Sequence, residues 1–205
     1  AAAIAFNIQP EETILVFDLG GGTLDVSVVK YEKNAKNSYV VLGTPAGDDH
    51  LGGKDWDEAL VCHVLRKVNI DPSTINKHGR VWAQLMLEAE NRKIELSERF
   101  ETSFEVKTSE VNEFVDIRRS EFENICSGLV QRAVKIVEKA IENTNNAPID
   151  RFVLVGGSSR MPMIIKTLEK MFVHRLSNNR LLEDWISLSD PDFAIAKGAA
   201  MYAKT

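Results

Sequence analysis

The chain has 205 residues, 44% of them hydrophobic and 27% charged, an ordinary globular composition with enough length for one large domain or two small ones. Its 25 basic and 30 acidic side chains leave a net charge of −5, which argues against a general nucleic-acid binder. No apolar run approaches a membrane span and no signal peptide is visible. The two cysteines, Cys62 and Cys126, are far apart in helix-like segments and are expected to fill core space in a reducing compartment.

Taken in order, the chain opens AAAIAF without a methionine, which reads as the tail of a helix in a piece of a longer protein. After a loop at Gln9-Pro10-Glu11-Glu12, residues 13–17 and 23–31 are expected as strands, 34–38 as a polar turn and 39–44 as a third strand, together an antiparallel meander. The glycine-rich stretch 43–53, GTPAGDDHLGG, marks a border. Asp55 is the expected N-cap of a helix carrying Trp56, Leu60, Val64 and Val68. A break at 70–73 precedes a long helix over about 73–97. Residues 102–108 and 113–117 follow as a hairpin. Ser120 with Glu123 forms a capping-box pattern opening one helix whose apolar face runs from Phe122 to Ile141. Residues 151–155 are again an apolar strand ending in glycines, followed by a helix over 163–172 with Pro162 in its first turn. Residues 173–187 show no period. A final helix is expected from Asp190-Pro191, rich in small residues.

The strongest chemical signal lies in residues 14–30, ILVFDLGGGTLDVSVVK. Gly20, Gly21 and Gly22 between two strands let backbone N–H groups approach a ligand closely, and successive N–H groups in such a turn form an anion-binding concavity. Thr23 and Asp25, two apart on a strand, face one side, with Asp18 across the turn. One hydroxyl and two carboxylates around a phosphate cradle suit a phosphate–metal pair, although a tight hairpin would account for the glycines alone. A second strand–glycine–hydroxyl pattern recurs at Gly156-Gly157-Ser158, with Arg160 two residues on, whose guanidinium plane can stack on a base. On the long helix, Glu90, Lys93, Ile94 and Ser97 follow i, i+3, i+4, i+7 spacing. They offer a carboxylate and an ammonium for ribose hydroxyls, an apolar contact and a hydroxyl for a base. A solvated Glu–Lys face would look the same.

These motifs, with AGDDHLGGKDWD, AENRKIELS, FVLVGGSSRMP and SDPDFAIAKGAAMYA in this order, resemble the ATPase domain of the seventy-kilodalton heat-shock chaperones of the DnaK type, over nearly the whole chain. The resemblance implies the ribonuclease-H-like α/β fold shared by actin, hexokinase and these chaperones, and the second of the domain's two lobes. Residues 1–50 and 131–205 would form an inner subdomain with a mixed sheet, and 51–130 an outer subdomain of long helices and a hairpin. Gly20–Thr23 would hold the β- and γ-phosphates, with Thr23 near the attacking water or a cation. Asp18 and Asp25 would hold waters and cations around the metal. Gly53 would approach the nucleoside, Glu90 and Lys93 the ribose, and Ser97 the base, with Ile94 beside it. Gly156, Gly157 and Ser158 would form the adenosine loop, Arg160 would stack on adenine, and Asp192 would line the nucleoside pocket. The implied cofactors are ATP or ADP with Mg2+, and K+ as a further cation.

Departures from the pattern are Ile94, where many eukaryotic relatives carry a second stacking arginine, Lys54 in place of an acid, Phe193 in place of a glutamate, and a longer segment 172–189. The partners implied are the first ATPase lobe and peptide-binding domain of a parent protein, a nucleotide-exchange factor on the outer subdomain and a J-domain co-chaperone, with no nucleic acid and no membrane. A cytoplasmic location is expected. The first lobe's phosphate loop, catalytic lysine and remaining metal carboxylates are not in this sequence, so turnover by the chain alone is not expected. Two alternatives stay open: a scaffold lobe that engages proteins without nucleotide, and an actin-like or sugar-kinase relative.

Overall fold

A computed structural model describes residues 8–32, 39–108, 110–172, 186–188 and 200. The elements are β1 (Thr13–Leu19), β2 (Leu24–Tyr31), β3 (Tyr39–Asp48), α1 (Gly53–Lys67), a short 3-10 turn Pro72–Thr74, α2 (Arg80–Glu98), β4 (Glu101–Lys107), β5 (Asn112–Arg118), α3 (Arg119–Ile125), α4 (Ser127–Glu142), β6 (Arg151–Val155), a 3-10 turn Gly157–Arg160, α5 (Pro162–Phe172) and β7 (Ile186–Leu188). The chain divides into two compact units, one of residues 1–52 and 132–205, the other of 53–131.

The first unit is built on a mixed sheet in the order β3-β2-β1-β6-β7. β1 pairs antiparallel with β2 and parallel with β6, and β6 pairs parallel with β7. The central strands are apolar on both faces because both faces are covered. Ile14, Val16, Val29, Val153 and Val155 pack with Ile8 on one side, against Tyr31 and Tyr39. Leu15, Phe17, Leu19, Leu24, Val26, Val28, Phe152 and Leu154, on the alternate positions, are equally buried. The start of the parallel pair is pinned. Thr13 N donates to Asp150 Oδ2 at 2.9 Å, and Arg151 donates to both Glu12 carboxylate oxygens at 2.9 and 3.1 Å.

The second unit packs α1 and α2 against the β4–β5 hairpin and α3. Its core holds Trp56, Leu60, Val64, Leu65, Trp82, Leu85, Leu96, Phe104, Val106, Ile117 and Phe122. The hairpin exposes one face, so only alternate residues of β4 are buried, at Thr102, Phe104 and Val106.

Several boundaries differ from the sequence expectation. β3 runs to Asp48 rather than residue 44: it is an edge strand whose register shifts opposite Val26–Val28, and this bulge absorbs Gly43, at φ 63°, together with Pro45. α1 begins at Gly53, which leaves Asp55 inside the first turn rather than at the N-cap. The long helix begins at Arg80, because Asn76 closes a turn by accepting from His78 N through its side chain and from Gly79 N through its carbonyl. The expected capping box does not open a helix: Arg118 is the N-cap, Ser120 lies inside α3, and the run to Ile141 breaks at Cys126, at φ −94° and ψ 2°. Ile186 and Ser187, at the end of the stretch expected to be irregular, join Leu188 in β7 on the parallel side of the sheet. The expected N-terminal helix tail, the turn at 34–38, residues 173–185 and the start of the final helix, including Asp192 and Phe193, lie outside the described residues.

Candidate functional site

β1 and β6 run parallel and end together, Asp18 pairing in register with Val155. The carboxyl ends of adjacent parallel strands are where ligands bind in open α/β sheets. From β1 the chain turns through Gly20–Thr23, closed by Gly20 N donating to Thr23 O at 3.1 Å. Asp18 and Asp25 are direct partners across the hairpin, so their side chains share a face. Thr23 Oγ1 lies 3.4 Å from Asp25 Oδ2. Asp25 and Thr23 are exposed and Asp18 is half-buried. Burial, and then the Asp25 charge, push the Asp18 carboxyl above its ordinary value.

The second glycine turn meets the first at this point. Gly156 adopts φ 82°, and a Cβ there would stand 2.3 Å from Leu19 O and 3.0 Å from Asp18 Oδ1. Only glycine lets the end of β6 lie this close to the end of β1. Ser159 then closes the turn, its Oγ donating to Gly156 O at 2.7 Å. Ser158 and Ser159 are buried, while Gly157 and Arg160 face solvent. A third backbone approach holds the first turn from the opposite side: a Cβ on Gly52 would fall 2.4 Å from Gly22 N. Thus Asp18, Gly20–Thr23, Asp25 and Gly156–Arg160 are brought together in the first unit.

The second unit carries the helical stripe of α2. Glu90 and Ile94 are exposed and Ser97 is half-buried, but Lys93 belongs to the buried face with Trp82, Leu85, Ala89 and Leu96. Its ammonium donates to Asp57 Oδ2 at 2.9 Å and to Gly53 O at 3.2 Å, and lies 2.8 Å from Asp57 Oδ1. Burial, opposed by Lys93, lifts the Asp57 carboxyl to about 6. Ser97 Oγ donates to Lys93 O at 3.1 Å, across one helical turn. Sequence reasoning missed Asp57. Its signal was a carboxylate set among Trp56, Leu60, Val61 and Val64 on one helix. It also used Gly53 and passed over Gly52.

Among the described residues no group of three or more His, Cys, Asp or Glu side chains could hold a metal. Asp18 and Asp25 offer two like-charged carboxylates. That donor set fits Mg2+, which keeps waters and takes its other ligands from phosphates, and does not fit an ion caged by protein alone.

A mixed sheet flanked by helices, with glycine turns at the ends of its parallel strands, places the chain in the class of actin-like α/β ATPase folds. The family model described as Hsp70 protein matches residues 1–205, and the chain belongs to the Hsp70 family. It is 36% identical over 214 residues to a chaperone protein dnaK of Guillardia theta, covering 99% of this chain and 32% of that protein. It is 33% identical to a chaperone protein DnaK of Mycoplasmopsis agalactiae, covering 98% of this chain and 34% of that one. It is 34% identical to a heat shock cognate 70 kDa protein 3 of Dictyostelium discoideum, covering 99% and 32% respectively. The chain therefore spans about a third of the length of the curated relatives it matches. No helix among the described residues is long and apolar enough to cross a membrane.

Proposed function

We propose that this chain is the ATP- and ADP-binding lobe of a heat-shock chaperone ATPase whose hydrolysis cycle controls binding of unfolded peptides. The observation that carries the reading is the convergence of two glycine turns on Asp18 at the ends of β1 and β6. In this reading the Gly20–Gly22 amides take the β- and γ-phosphates, and Thr23 sits by the attacking water. Asp18 and Asp25 hold the waters and cations, Mg2+ with K+ as a second ion. Bound metal would supply charge neutralisation at the phosphates. Gly156–Ser158 cradle the adenosine and exposed Arg160 stacks on adenine. By the family resemblance, Glu90, Lys93, Ile94, Ser97 and Gly53 of the second unit, and Asp192, are also assigned nucleoside contacts.

Phosphoryl transfer needs stabilisation from both sides of the phosphates, so the 205 residues alone bind nucleotide without turning it over. The complementary lobe, a peptide-binding domain, a J-domain co-chaperone and an exchange factor on the second unit are the partners of the same proposal. A cytoplasmic location also belongs to it: Cys62 and Cys126 are free thiols, which suits a reducing compartment.

ADP titration tests the reading, followed by tryptophan fluorescence or by the amide resonance of Gly157. A saturable response with a dissociation constant of about a millimolar is expected, since each hydrogen bond contributes only about 1 kcal/mol net. No saturation at concentrations well above that favours a scaffold lobe that engages proteins without nucleotide. Replacing Arg160 with Ala should weaken binding about fivefold, the loss of a contact of about 1 kcal/mol. Unchanged affinity refutes the stacking role.

A further inference from the structure

We propose that Asp57 is a positioning residue for nucleoside binding: by anchoring the Lys93 ammonium it locks Gly53 and the Lys93–Ser97 turn of α2 into one element. The role rests on the nucleotide-binding reading above. Three residues assigned there to nucleoside contacts, Gly53, Lys93 and Ser97, are joined by consecutive hydrogen bonds. Gly53 O accepts from Lys93 Nζ at 3.2 Å, and Lys93 O accepts from Ser97 Oγ at 3.1 Å. Asp57 is the only other residue on this path among the described interactions, with Lys93 Nζ donating to its Oδ2 at 2.9 Å. Both members of the ion pair are more than nine-tenths buried, Lys93 at 6% exposure and Asp57 at 5%. An ammonium on a four-carbon stem has many rotamers, and a buried carboxylate is what selects one of them.

The lock is incomplete in a way that makes it titratable. Asp57 Oδ1, although 2.8 Å from the ammonium, accepts no hydrogen bond. Burial disfavours the ionised carboxylate by more than the nearby ammonium favours it. The groups facing it are Lys93 and Glu90 of α2, Asp55 of its own helix α1, and the Cys126 thiol at the α3–α4 joint. Glu90 and Asp55 repel its charge and reinforce the effect of burial, which together carry the carboxyl to about 6. Protonation removes the charge that holds Lys93 and frees the ammonium to leave Gly53 O.

The test uses the 205-residue chain and adenosine, because the phosphates of ADP titrate near the same pH. In the parent chain, adenosine affinity should fall about fivefold as the pH is lowered through about 6, the loss of roughly one oriented hydrogen bond. Asp57→Asn should show the low affinity at every pH, with no slope, and Asp57→Glu should restore the slope. Independently, the carbonyl carbon resonance of Gly53 should titrate near 6 in the parent chain and not in Asp57→Asn. Parent-like affinity and slope in Asp57→Asn, or a Gly53 carbonyl that does not titrate, overturns the positioning role. An absence of adenosine binding at every pH overturns the nucleotide reading itself, and the Gly53 titration then tells that failure apart from failure of the ion pair.

Discussion

Replacing Gly156 with Ala attacks the point where the two glycine turns meet. The native φ of 82° lies in a region that an L side chain enters at a cost of about 1–3 kcal/mol. The added Cβ would also stand 2.3 Å from Leu19 O and 2.5 Å from Leu19 C, atoms of a central strand with no free rotor to move aside. Forcing such an overlap apart costs about another 1–3 kcal/mol. The sum is about 2–6 kcal/mol. With a urea m-value of about 2 kcal/mol/M, the unfolding midpoint should drop by about 1–3 M at unchanged slope. Gly157→Ala is the matched control: its Cβ would meet nothing within 4 Å, and its stability should stay within about 0.5 kcal/mol of the parent. Equal midpoints for the two variants would refute the argument that the positive φ and the close backbone approach together dictate glycine at residue 156.

Two further outcomes follow from the same physics. Arg151→Ala should cost about 1–3 kcal/mol in urea unfolding, because it takes the paired charge from the Glu12 carboxylate at the start of β1, whose side chain is only 12% exposed and which keeps the Gln9 N–H at 2.8 Å. Asp25→Asn should lower the titration midpoint of Asp18, followed by its carboxyl carbon resonance, by removing the neighbouring like charge. Because the folded Asp18 carboxyl titrates above its ordinary 3.8, its contribution to stability is complete below that value and is lost as pH rises through the folded midpoint. The Asn variant should narrow that window.

β1 and β6 were legible in the sequence because each is a run of buried apolar residues stopped by glycines, and β2 because apolar and polar residues alternate along its first half after the glycine turn; the same glycines disclosed the candidate phosphate turn. The end of β3 was not legible. Gly43-Thr44-Pro45-Ala46-Gly47 has loop chemistry, and the strand resumes past the bulge because Ala46, Gly47 and Asp48 pair with β2, a tertiary contribution that local propensity does not carry. The start of α2 was misread because the Asn76 side chain supplies a competing local turn. The break at Cys126 was masked because the apolar period from Phe122 to Ile141 runs through it, although Ser127-Gly128 stands just beyond it. At the site, composition and spacing identified the individual glycines, but not that Gly156 abuts Asp18 or that Gly52 abuts Gly22, which are long-range contacts. The face of Lys93 was also not legible. Its spacing sets it beside Glu90 and Ile94, at the margin of the buried stripe, and only a partner on another helix decides that its ammonium turns inward.

The bulge in β3 has a consequence for how copies of this chain meet at high concentration. β3 is the edge of the sheet among the described strands, and an open edge is a template for a foreign strand. Its flat part, 39–42, is only four residues, about 13 Å of backbone, before the register breaks at Gly43 and Pro45 supplies no N–H. On the far side of that break, Asn143 Nδ2 donates to Thr44 O at 2.7 Å, taking an acceptor that an incoming strand would need. An intruding β-ribbon could therefore register over a short stub and go no further, which guards this edge against fibril growth.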